Sequence, residues 1–420
     1  VETTYRRNYE IDNDVLANYT RKFVDNRLDF GLTLGLNVNE RASTKLETET
    51  DKLSFNTGFW DLSNGSVKKT IEESQWKRRL IGLFGDLTLG WDDMVYLDVT
   101  ARNDWSSTLP LNANNFFYPG VTLSWIFTNV LPENKALSFG KVRMAYGKTG
   151  NDADVYNTSA SYTQTSSRVY YDENYVFPNN GVNSFRRNNT IGSSDLRPEM
   201  TREFEIGLDL KFFNDRFGID ASYYNRTTDD QIFELPVDPA IGYFYEIINF
   251  GEVNNKGVEL VLSTTPVRTN KIKWDLDFNF AVNRNKVVSL PESLEGGRVT
   301  MYDFSAGNDA VYMYAEEGKQ MGQYYTYLPT YTEQGQLVVD ENSMPVLSTD
   351  VMDTGKNMNN KWTGGVNTSV SAYGLTLSAQ LDVRYGGYMF SRTKNLMQFT
   401  GNGIETLFND RRAFIVPGSV

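Results

Sequence analysis

The chain has 420 residues, a formal net charge of −12, and neither cysteine nor histidine. The absence of cysteine excludes disulfides and thiolate metal sites, and the absence of histidine removes the commonest general base and metal ligand. The acidic balance argues against a nucleic-acid binder, whose surface is basic. No run approaches the ~18 uninterrupted apolar residues that a transmembrane helix needs.

A two-residue rhythm runs through the chain. Residues 271–283 place apolar side chains at even positions and mostly charged or amide side chains at odd ones, and residues 203–211 and 375–384 repeat the pattern. Successive strand side chains point to opposite faces, so each segment has one apolar and one polar face. Ordinary strands run about 5–6 residues, whereas a tilted membrane strand needs about 9–11. With aromatic residues at 14% and a mean hydropathy of −0.46, this composition is typical of an outer-membrane barrel.

About twelve long strands are predicted, in this order: residues 13–22, 27–40, 77–89, 94–104, 116–128, 138–149, 200–213, 217–229, 254–266, 271–286, 362–373 and 375–388. Tight turns near residues 25, 92, 132, 215, 269 and 374 alternate with long connections at 41–76, 105–115, 150–199, 230–253 and 287–361. An antiparallel meander collects such turns at one edge and the loops at the other, as in bacterial barrels with short periplasmic turns. The predicted fold class is therefore all-β, a large antiparallel up-and-down transmembrane β-barrel.

Other β architectures explain the pattern less well. A soluble sandwich or carbohydrate-binding array would also alternate apolar and polar residues, but the strand lengths and the loop alternation count against it. A solenoid or propeller needs a fixed period, and the spacings here are irregular. Because the chain starts at Val1 and does not end on the aromatic residue usual for a closing barrel strand, we expect it to be a fragment.

Two sets of candidate binding residues follow from the pattern. Polar-face charges are expected to look into the lumen, mostly as wall charges that pair with one another; they include Arg102, Asp209, Asp275, Asp277, Asp382 and Arg384. Aromatic loop tracts suit stacking on sugar rings, although peptides use aromatic walls too; they are Tyr170, Tyr171, Tyr175, Tyr243, Phe244 and Tyr245. Four tryptophans near strand ends are expected to form an interfacial girdle, with ligand stacking as the alternative: Trp105, Trp125, Trp274 and Trp362.

Catalysis is not predicted. Nucleophile–base pairs centred on histidine or cysteine are impossible. The paired carboxylates at 92–93 and 229–230 lie at turns or loop mouths, and a glycosidase-like pair is the remaining enzymatic alternative. We expect no catalytic residue, no specific metal site and no cofactor beyond a structural Ca²⁺ in the Asp-rich outer loops, for which no EF-hand spacing is present.

Eight segments resemble, in the same order, the SusC/RagA family of TonB-linked (TonB-dependent) outer-membrane transporters. They are 102–110 (RNDWSSTLP), 117–125 (FYPGVTLSW), 142–151 (VRMAYGKTGN), 196–201 (LRPEMT) with 205–209 (EIGLD), 223–230 (YYNRTTDD), 249–259 (NFGEVNNKGVE), 283–287 (NRNKV) and 361–365 (KWTGG). The resemblance implies a barrel of roughly 22 strands in the bacterial outer membrane. Residues 1–420 would form part of one TonB-dependent receptor barrel domain supplying twelve or more strands, with the signal peptide, plug domain and final strands outside the chain.

The resemblance also implies a function and partners. It predicts active import of large nutrients such as oligosaccharides or peptides, with a SusD-like lipoprotein lid, coupling to the TonB–ExbB–ExbD complex through the missing N-terminal part, outer-membrane lipid around the wall, and a dimer of transporter–lid pairs. One alternative is a TonB-dependent receptor for a small metal chelate or vitamin, against which the motifs and the lack of histidine count. Another is a soluble β-rich glycan-binding protein.

The long connections are expected to carry the docking surface for the lid. Residues 150–199 and 287–361 far exceed the ~12–15 residues above which loops are usually functional. They carry aromatic and arginine side chains, which are enriched at interface hot spots. The alternative is that these loops fold inward and constrict the lumen without a partner.

Overall fold

The computed structural model describes residues 1–50, 52–55, 58–66, 70–132, 136–165, 167–170, 173–291, 294, 297–305 and 310–412. Within these ranges the chain forms one 13-stranded sheet and three smaller sheets. No helix in the described part of the chain is both long and apolar enough to cross a bilayer. The α-helix α1 spans only Arg392–Phe399, and short 3₁₀ segments occur at Leu62–Asn64, Phe127–Val130, Pro239–Ile241 and Ile404–Arg411.

Twelve long strands follow one another through the main sheet in chain order, as the sequence predicts. They are β1 (Glu2–Phe23), β2 (Leu28–Glu49), β3 (Thr70–Trp91), β4 (Val95–Ser106), β5 (Asn115–Ile126), β6 (Leu137–Asn151), β12 (Glu199–Phe212), β13 (Phe217–Pro236), β14 (Tyr245–Arg268), β15 (Ile272–Ser289), β20 (Asn360–Ala372) and β21 (Leu375–Gly386). The other strands belong to two long connections. They are β7 (Tyr162–Thr165), β8 (Ser167–Tyr170), β9 (Glu173–Val176), β10 (Ser184–Arg187), β11 (Thr190–Ile191), β16 (Arg298–Asp303), β17 (Val311–Glu316), β18 (Gln323–Thr326) and β19 (Met352–Asn357).

Several strands are longer than the sequence predicts. β2 continues to Glu49 and β3 begins at Thr70, so the expected loop 41–76 shrinks to residues 50–69. The expected loop 230–253 likewise shrinks to 237–244. Beyond the apolar part, polar side chains continue the ladder as cross-strand ion pairs such as Arg41–Glu10 at 2.8 Å. The short–long alternation is also less strict than predicted, because the connection 127–136 is no shorter than 107–114.

The chain divides into two compact units. Unit 1 comprises Val1–Asn129, Val142–Phe204 and Thr228–Phe250, whereas unit 2 comprises Val130–Lys141, Glu205–Thr227 and Gly251–Val420. Each unit contains a run of neighbouring antiparallel strands: β1 to β5 in unit 1, and β14 from Gly251 onward, β15, β20 and β21 in unit 2. The register of β1 to β5 is continuous, whereas the β14–β15 and β20–β21 pairs contain register shifts.

The register of unit 1 aligns apolar side chains in rows on one sheet face. We call this set of rows the apolar belt; each row contains one residue from each of β1 to β5. From the turn end to the loop end, the rows are Phe23–Leu28–Trp91–Val95–Trp125, Arg21–Phe30–Leu89–Leu97–Leu123, Tyr19–Leu32–Leu87–Val99–Val121, Ala17–Leu34–Gly85–Ala101–Pro119, Val15–Leu36–Leu83–Asn103–Phe117 and Asn13–Val38–Ile81–Trp105–Asn115. These side chains are exposed or half-buried, and none of the apolar ones is fully buried; Leu83 is 55% and Phe117 57% exposed. A contiguous exposed apolar surface of this extent indicates a face that is covered by a membrane or by another protein.

The height of the belt matches a bilayer. From Leu28 to Val38 the strand rises about 33 Å at about 3.3 Å per residue. A strand tilted about 45° therefore spans about 23 Å along the membrane normal, close to the apolar band of about 25 Å in outer-membrane barrels. Tryptophans stand in the outermost rows, Trp91 and Trp125 at one end and Trp105 at the other, where indole rings favour the headgroup level.

Unit 2 repeats this two-faced arrangement. Leu276 and Phe278 of β15 align with apolar or threonine side chains of β14 and β20, whereas Asp277 lies opposite Ser263 and Asn367 on the other face.

Two glycines of β14 occupy positions where a larger residue would clash with its neighbours or strain the backbone. A Cβ on Gly257 would lie 2.3 Å from the Val282 carbonyl oxygen and 2.6 Å from the Tyr224 hydroxyl, and Gly251 has φ +81°.

Among the described residues, a small hydrophobic cluster lies at the loop end of unit 1. It contains Leu109, Phe116, Ala153 and Leu196, of which Leu196 is fully buried. Each of these residues comes from, or stands next to, a segment that resembles the transporter family. The core therefore anchors the loops onto the ends of the strands.

Candidate functional site

A polar cavity opens on the face of unit 1 opposite the apolar belt. It has a volume of about 570 Å³ and lies at the loop end of β1, β2 and β3, within the ~300–1,000 Å³ typical of ligand sites. Its lining combines cations, amide, hydroxyl and acidic groups with one half-exposed indole: Arg6, Asn8, Tyr9, Glu10, Arg41, Ala42, Ser43, Lys45, Ser74 and Trp76. Sequence reasoning missed these residues. The signal was present, because the period of two continues through β2 and β3 beyond the predicted strand ends.

Charges in this cavity are organised by ion pairs within the sheet. Arg41 contacts Glu10 at 2.8 Å, and Lys45 pairs with Glu47. Trp76 keeps 38% of its surface exposed. An exposed indole beside guanidinium, ammonium and amide donors can stack on a ring while hydrogen bonds fix its orientation.

Unit 2 carries two further cavities on or beside its polar face. One, of about 330 Å³, brings together the predicted Asp275 and Asp277 with amide and hydroxyl side chains of β20 and β21. The other, of about 270 Å³, is lined by Tyr224 and Glu259 together with four asparagines and neighbouring backbone of β15 and β20. Asp275 is held in place, because it pairs with Lys273 at 2.7 Å and accepts a hydrogen bond from Thr265 Oγ1 at 2.8 Å.

The other predicted wall charges fall on the polar strand faces. Arg102 Nε donates to Asp104 Oδ1 at 2.7 Å, and its guanidinium lies 5.3 Å from the centre of the Phe84 ring. Asp382 accepts from Gln380 Nε2 at 3.0 Å, and Arg384 lies opposite Thr363. Asp209 lies half-buried on β12. These contacts with neighbouring side chains fit the predicted role as paired charges of the barrel wall. That the charges face the lumen stays a prediction.

The predicted loop aromatics are only partly brought together. The Arg187 guanidinium stacks 4.1 Å from the centre of the Tyr243 ring. Phe244 and Tyr245 are 52% and 43% exposed, and their backbone N–H groups donate to the Asn189 carbonyl. Tyr170 and Tyr175 lie on the β8–β9 hairpin, opposite Glu173 and Arg168. Tyr171 lies outside the described residues. Substrate binding by all six stays a prediction.

A buried polar cluster joins the loop after β6 to the strand ends of unit 1. Asp152, whose side chain is 4% exposed, pairs with Arg78 and accepts hydrogen bonds from the Ser106 hydroxyl and, at 2.9 Å, from Thr108 Oγ1. Ser106 and Thr108 are themselves 2% and 3% exposed. We call Arg78, Ser106, Thr108 and Asp152 the Asp152 cluster. It explains why hydroxyl side chains rather than apolar ones stand at Ser106 and Thr108 within the segment 102–110.

Three more family-like segments meet beside this cluster. Asn249 Nδ2 donates to the carbonyl oxygens of Arg197 at 2.7 Å and Asp230 at 2.8 Å, and Asn249 Oδ1 accepts from the Arg197 N–H at 2.6 Å. Glu199 Oε1 accepts from the Ile232 N–H at 2.8 Å. These side chains replace missing backbone partners where strands become loops. The motifs therefore hold the loop mouth in place, and none of these residues needs a catalytic role.

The connection 290–359 of unit 2 folds into its own four-stranded sheet, β16 to β19. Lys319 Nζ contacts Asp353 at 2.8 Å and Glu316 at 3.1 Å and donates to the Tyr325 hydroxyl at 2.9 Å. The hydrogen bond to Asp353 raises the pKa of Lys319, although partial burial opposes it. Tyr325 is 3% exposed, and Arg298 lies 5.1 Å from its ring centre. This loop is an ordered platform rather than an extended linker.

Within the described ranges, no three acidic side chains converge as a metal-ion site would require. The structural Ca²⁺ in the outer loops stays a prediction.

Comparison with known proteins supplies the family. A family model described as TonB dependent receptor-like, beta-barrel matches residues 2–410. TonB-dependent receptor P3 of Formosa agariphila is 28% identical over 276 residues, which cover 64% of this chain and 26% of that protein. TonB-dependent receptor SusC of Bacteroides thetaiotaomicron is 25% identical over 281 residues, covering 63% and 27%. The chain therefore spans about a quarter of the length of these relatives.

The fold is also found among solved structures. A structure titled as the RagAB peptide transporter superposes with a TM-score of 0.76 at 22% identity, covering 94% of this chain and 43% of that one. At such identity the likeness shows the fold alone. Together with the family match, it confirms the predicted all-β antiparallel barrel fold and the outer-membrane location. The chain belongs to the TonB-dependent receptor β-barrel family.

Proposed function

We propose that the chain is part of the wall of a TonB-dependent importer for large nutrients, oligosaccharides or peptides. One observation carries this proposal: the register of β1 to β3 that places a bilayer-high apolar belt on one sheet face places a polar cavity on the other. A wall of this kind separates lipid from an aqueous path. Transport rather than catalysis fits a path lined by amides, hydroxyls and paired charges.

The size and chemistry of the cavities support a large polar substrate. The cavity beside Trp76 offers an indole and several cations, which suit sugar rings and peptide carboxylates. The asparagine-rich cavity beside Glu259 offers planar amide groups, each of which can both donate and accept hydrogen bonds. Among similar proteins, one is named SusC and another is titled a peptide transporter.

The folded loops support a lid. The segment 329–347, between β18 and β19, is closed by isolated β-bridges and exposes Tyr331 at 59%, Met344 at 62% and Leu347 at 51%. Exposed aromatic and methionine side chains on an ordered platform suit a protein interface. We propose that a SusD-like lipoprotein docks there, that transporter–lid pairs dimerise, and that TonB–ExbB–ExbD supplies the energy through residues outside this chain.

Purification of the full-length protein tests the lid and the import function separately. After gentle detergent extraction of a tagged protein, mass spectrometry should find a lipoprotein in near-equal amount. A barrel that purifies alone would overturn the lid proposal and favour a receptor for a small chelate. Growth on single oligosaccharide or peptide sources should fail both without the protein and without TonB. Growth on every such source without the protein would contradict the import proposal.

A further inference from the structure

A cationic cluster stands directly beyond the apolar belt of unit 1, on the same sheet face. The row after Asn13–Val38–Ile81 is Ile11–Glu40–Arg79, followed by Tyr9–Ala42–Lys77 and Arg7–Thr44–Gln75. Side chains two residues apart on a strand share a face, so Lys77 and Arg79 point to the same side as Ile81 and Leu83. They point away from the cavity beside Trp76. A substrate in that cavity cannot use them.

One carboxylate organises two of these cations. Glu40, 16% exposed, contacts Lys77 Nζ at 2.7 Å through Oε1 and Arg79 Nη2 at 2.5 Å through Oε2. The hydroxyl of Tyr9 also donates to Glu40 Oε1, at 3.3 Å. Lys77 and Arg79 nevertheless keep 52% and 54% of their side chains exposed. Both are thus fixed in position with N–H donors left over for a ligand.

The local charge contrasts with the whole chain. Arg7, Lys77 and Arg79 outweigh Glu40 and Glu73 on this face, whereas the protein carries a formal net charge of −12. Successive rows are about 6.7 Å apart along a strand, or about 5 Å along the membrane normal at a tilt of about 45°. The cations therefore stand one to three rows above the Trp105 level, where lipid headgroups begin. Exposed Tyr5 and Tyr9 flank them, as amphipathic aromatics do at an interface.

We propose that Arg7, Lys77 and Arg79 form a binding site for the phosphate-bearing headgroup of a glycolipid in the outer leaflet. Guanidinium and ammonium groups are the side chains that bind phosphate by charge-assisted hydrogen bonds. The acyl chains of such a lipid would lie along Leu36, Leu83 and Phe117 of the belt. Lipid and headgroup would thus contact one continuous face. The site requires that the loop end faces the cell exterior, as in the proposed function, and cysteine labelling at positions 60 and 215 tests that orientation independently.

The test uses the purified full-length protein in neutral detergent, titrated with phosphorylated lipid A and read out by native mass spectrometry. Lys77→Gln/Arg79→Gln should weaken retention about thirtyfold and Arg7→Gln about fivefold, since each cation near an anionic surface contributes a factor of about five. Lys45→Gln is the matched control, because it removes a cation from the opposite face, one residue along the strand beyond the level of Arg7. It should bind lipid A as the parent protein does. Binding should also weaken with salt, as exposed charges are screened.

Several results would overturn the proposal. The first is that all variants retain phosphorylated lipid A as well as the parent protein does. The second is that the parent protein binds dephosphorylated lipid A as tightly as the phosphorylated form. The third is that it binds phosphatidylglycerol equally well, because that result would indicate unspecific attraction of anions. Loss of an acidic protein, rather than lipid, from the extracted Lys77→Gln/Arg79→Gln variant would identify a protein interface instead. Because the double variant leaves Glu40 with fewer partners, a third variant adds Glu40→Gln. It should show the same loss with a normal heat-dependent shift in gel mobility.

Discussion

Leu276→Arg is expected to block assembly into the outer membrane, whereas Asp277→Arg should be tolerated. The two residues are neighbours on β15 but point to opposite faces, and Leu276 lies midway along the apolar face. An arginine at a lipid-facing midplane position costs about 2–4 kcal/mol in such barrels. At position 277 an arginine would stand beside Asp275 in a polar cavity. The polar cavity accommodates the guanidinium charge, and an ion pair with Asp275 offsets the cost of its desolvation.

The comparison is measured on outer-membrane fractions. The amount of heat-modifiable, folded protein should fall sharply for Leu276→Arg and remain near the parent level for Asp277→Arg. Phe278→Arg, one row further along the same face, should behave like Leu276→Arg. Equal effects at positions 276 and 277 would contradict the assignment of the apolar face to lipid.

Asp152→Asn should loosen the loop mouth of unit 1 by about 2–3 kcal/mol. Removing one partner of a fully buried ion pair costs about 3–5 kcal/mol, because the other charge is left unpaired. Here Arg78 keeps 27% of its side chain exposed, so solvent screens part of that cost. Asparagine keeps only one accepting oxygen, so the hydroxyls of Ser106 and Thr108 then compete for it with Arg78, which loses its charged partner. We expect hydrogen exchange to rise in residues 102–110 and 152–162, with the strands β1 and β2 unchanged.

Asp154→Asn provides the control, since Asp154 is exposed and lies two residues away. It removes the same charge from the same loop without disturbing the Asp152 cluster, and exchange rates should not change. If both variants behaved alike, the effect would come from loop charge and not from the buried pair. Unchanged exchange in Asp152→Asn would show that the cluster does not anchor the loop.

The strands were predictable because a period of two is a local property. The faces of β15 follow from alternation alone, and the register confirms that Leu276 and Asp277 lie on opposite sides. Strand ends were less predictable. β2 and β3 continue beyond the apolar residues through cross-strand ion pairs such as Glu40–Arg79, and such pairs appear only when two distant segments are brought together.

The site was harder to predict for the same reason. The Asp152 cluster joins residues from three separate parts of the sequence, and Asp152 lies one position beyond a recognised segment. The cavity beside Trp76 combines β1, β2 and β3, parts of which were expected to be loop. The small strands β16 to β19 were missed because runs of four to six residues carry too little alternation to stand out.

The wall orientation is tested most directly by cysteine labelling, because these 420 residues contain no cysteine and contribute no background label. Trp60→Cys lies in the connection 50–69 and Asp215→Cys in the turn between β12 and β13. In intact cells, a membrane-impermeant maleimide should label position 60 and leave position 215 unlabelled until the outer membrane is opened. Labelling at 215 with protection at 60 would reverse the orientation, and labelling of neither in opened cells would contradict a membrane-spanning wall with exposed connections.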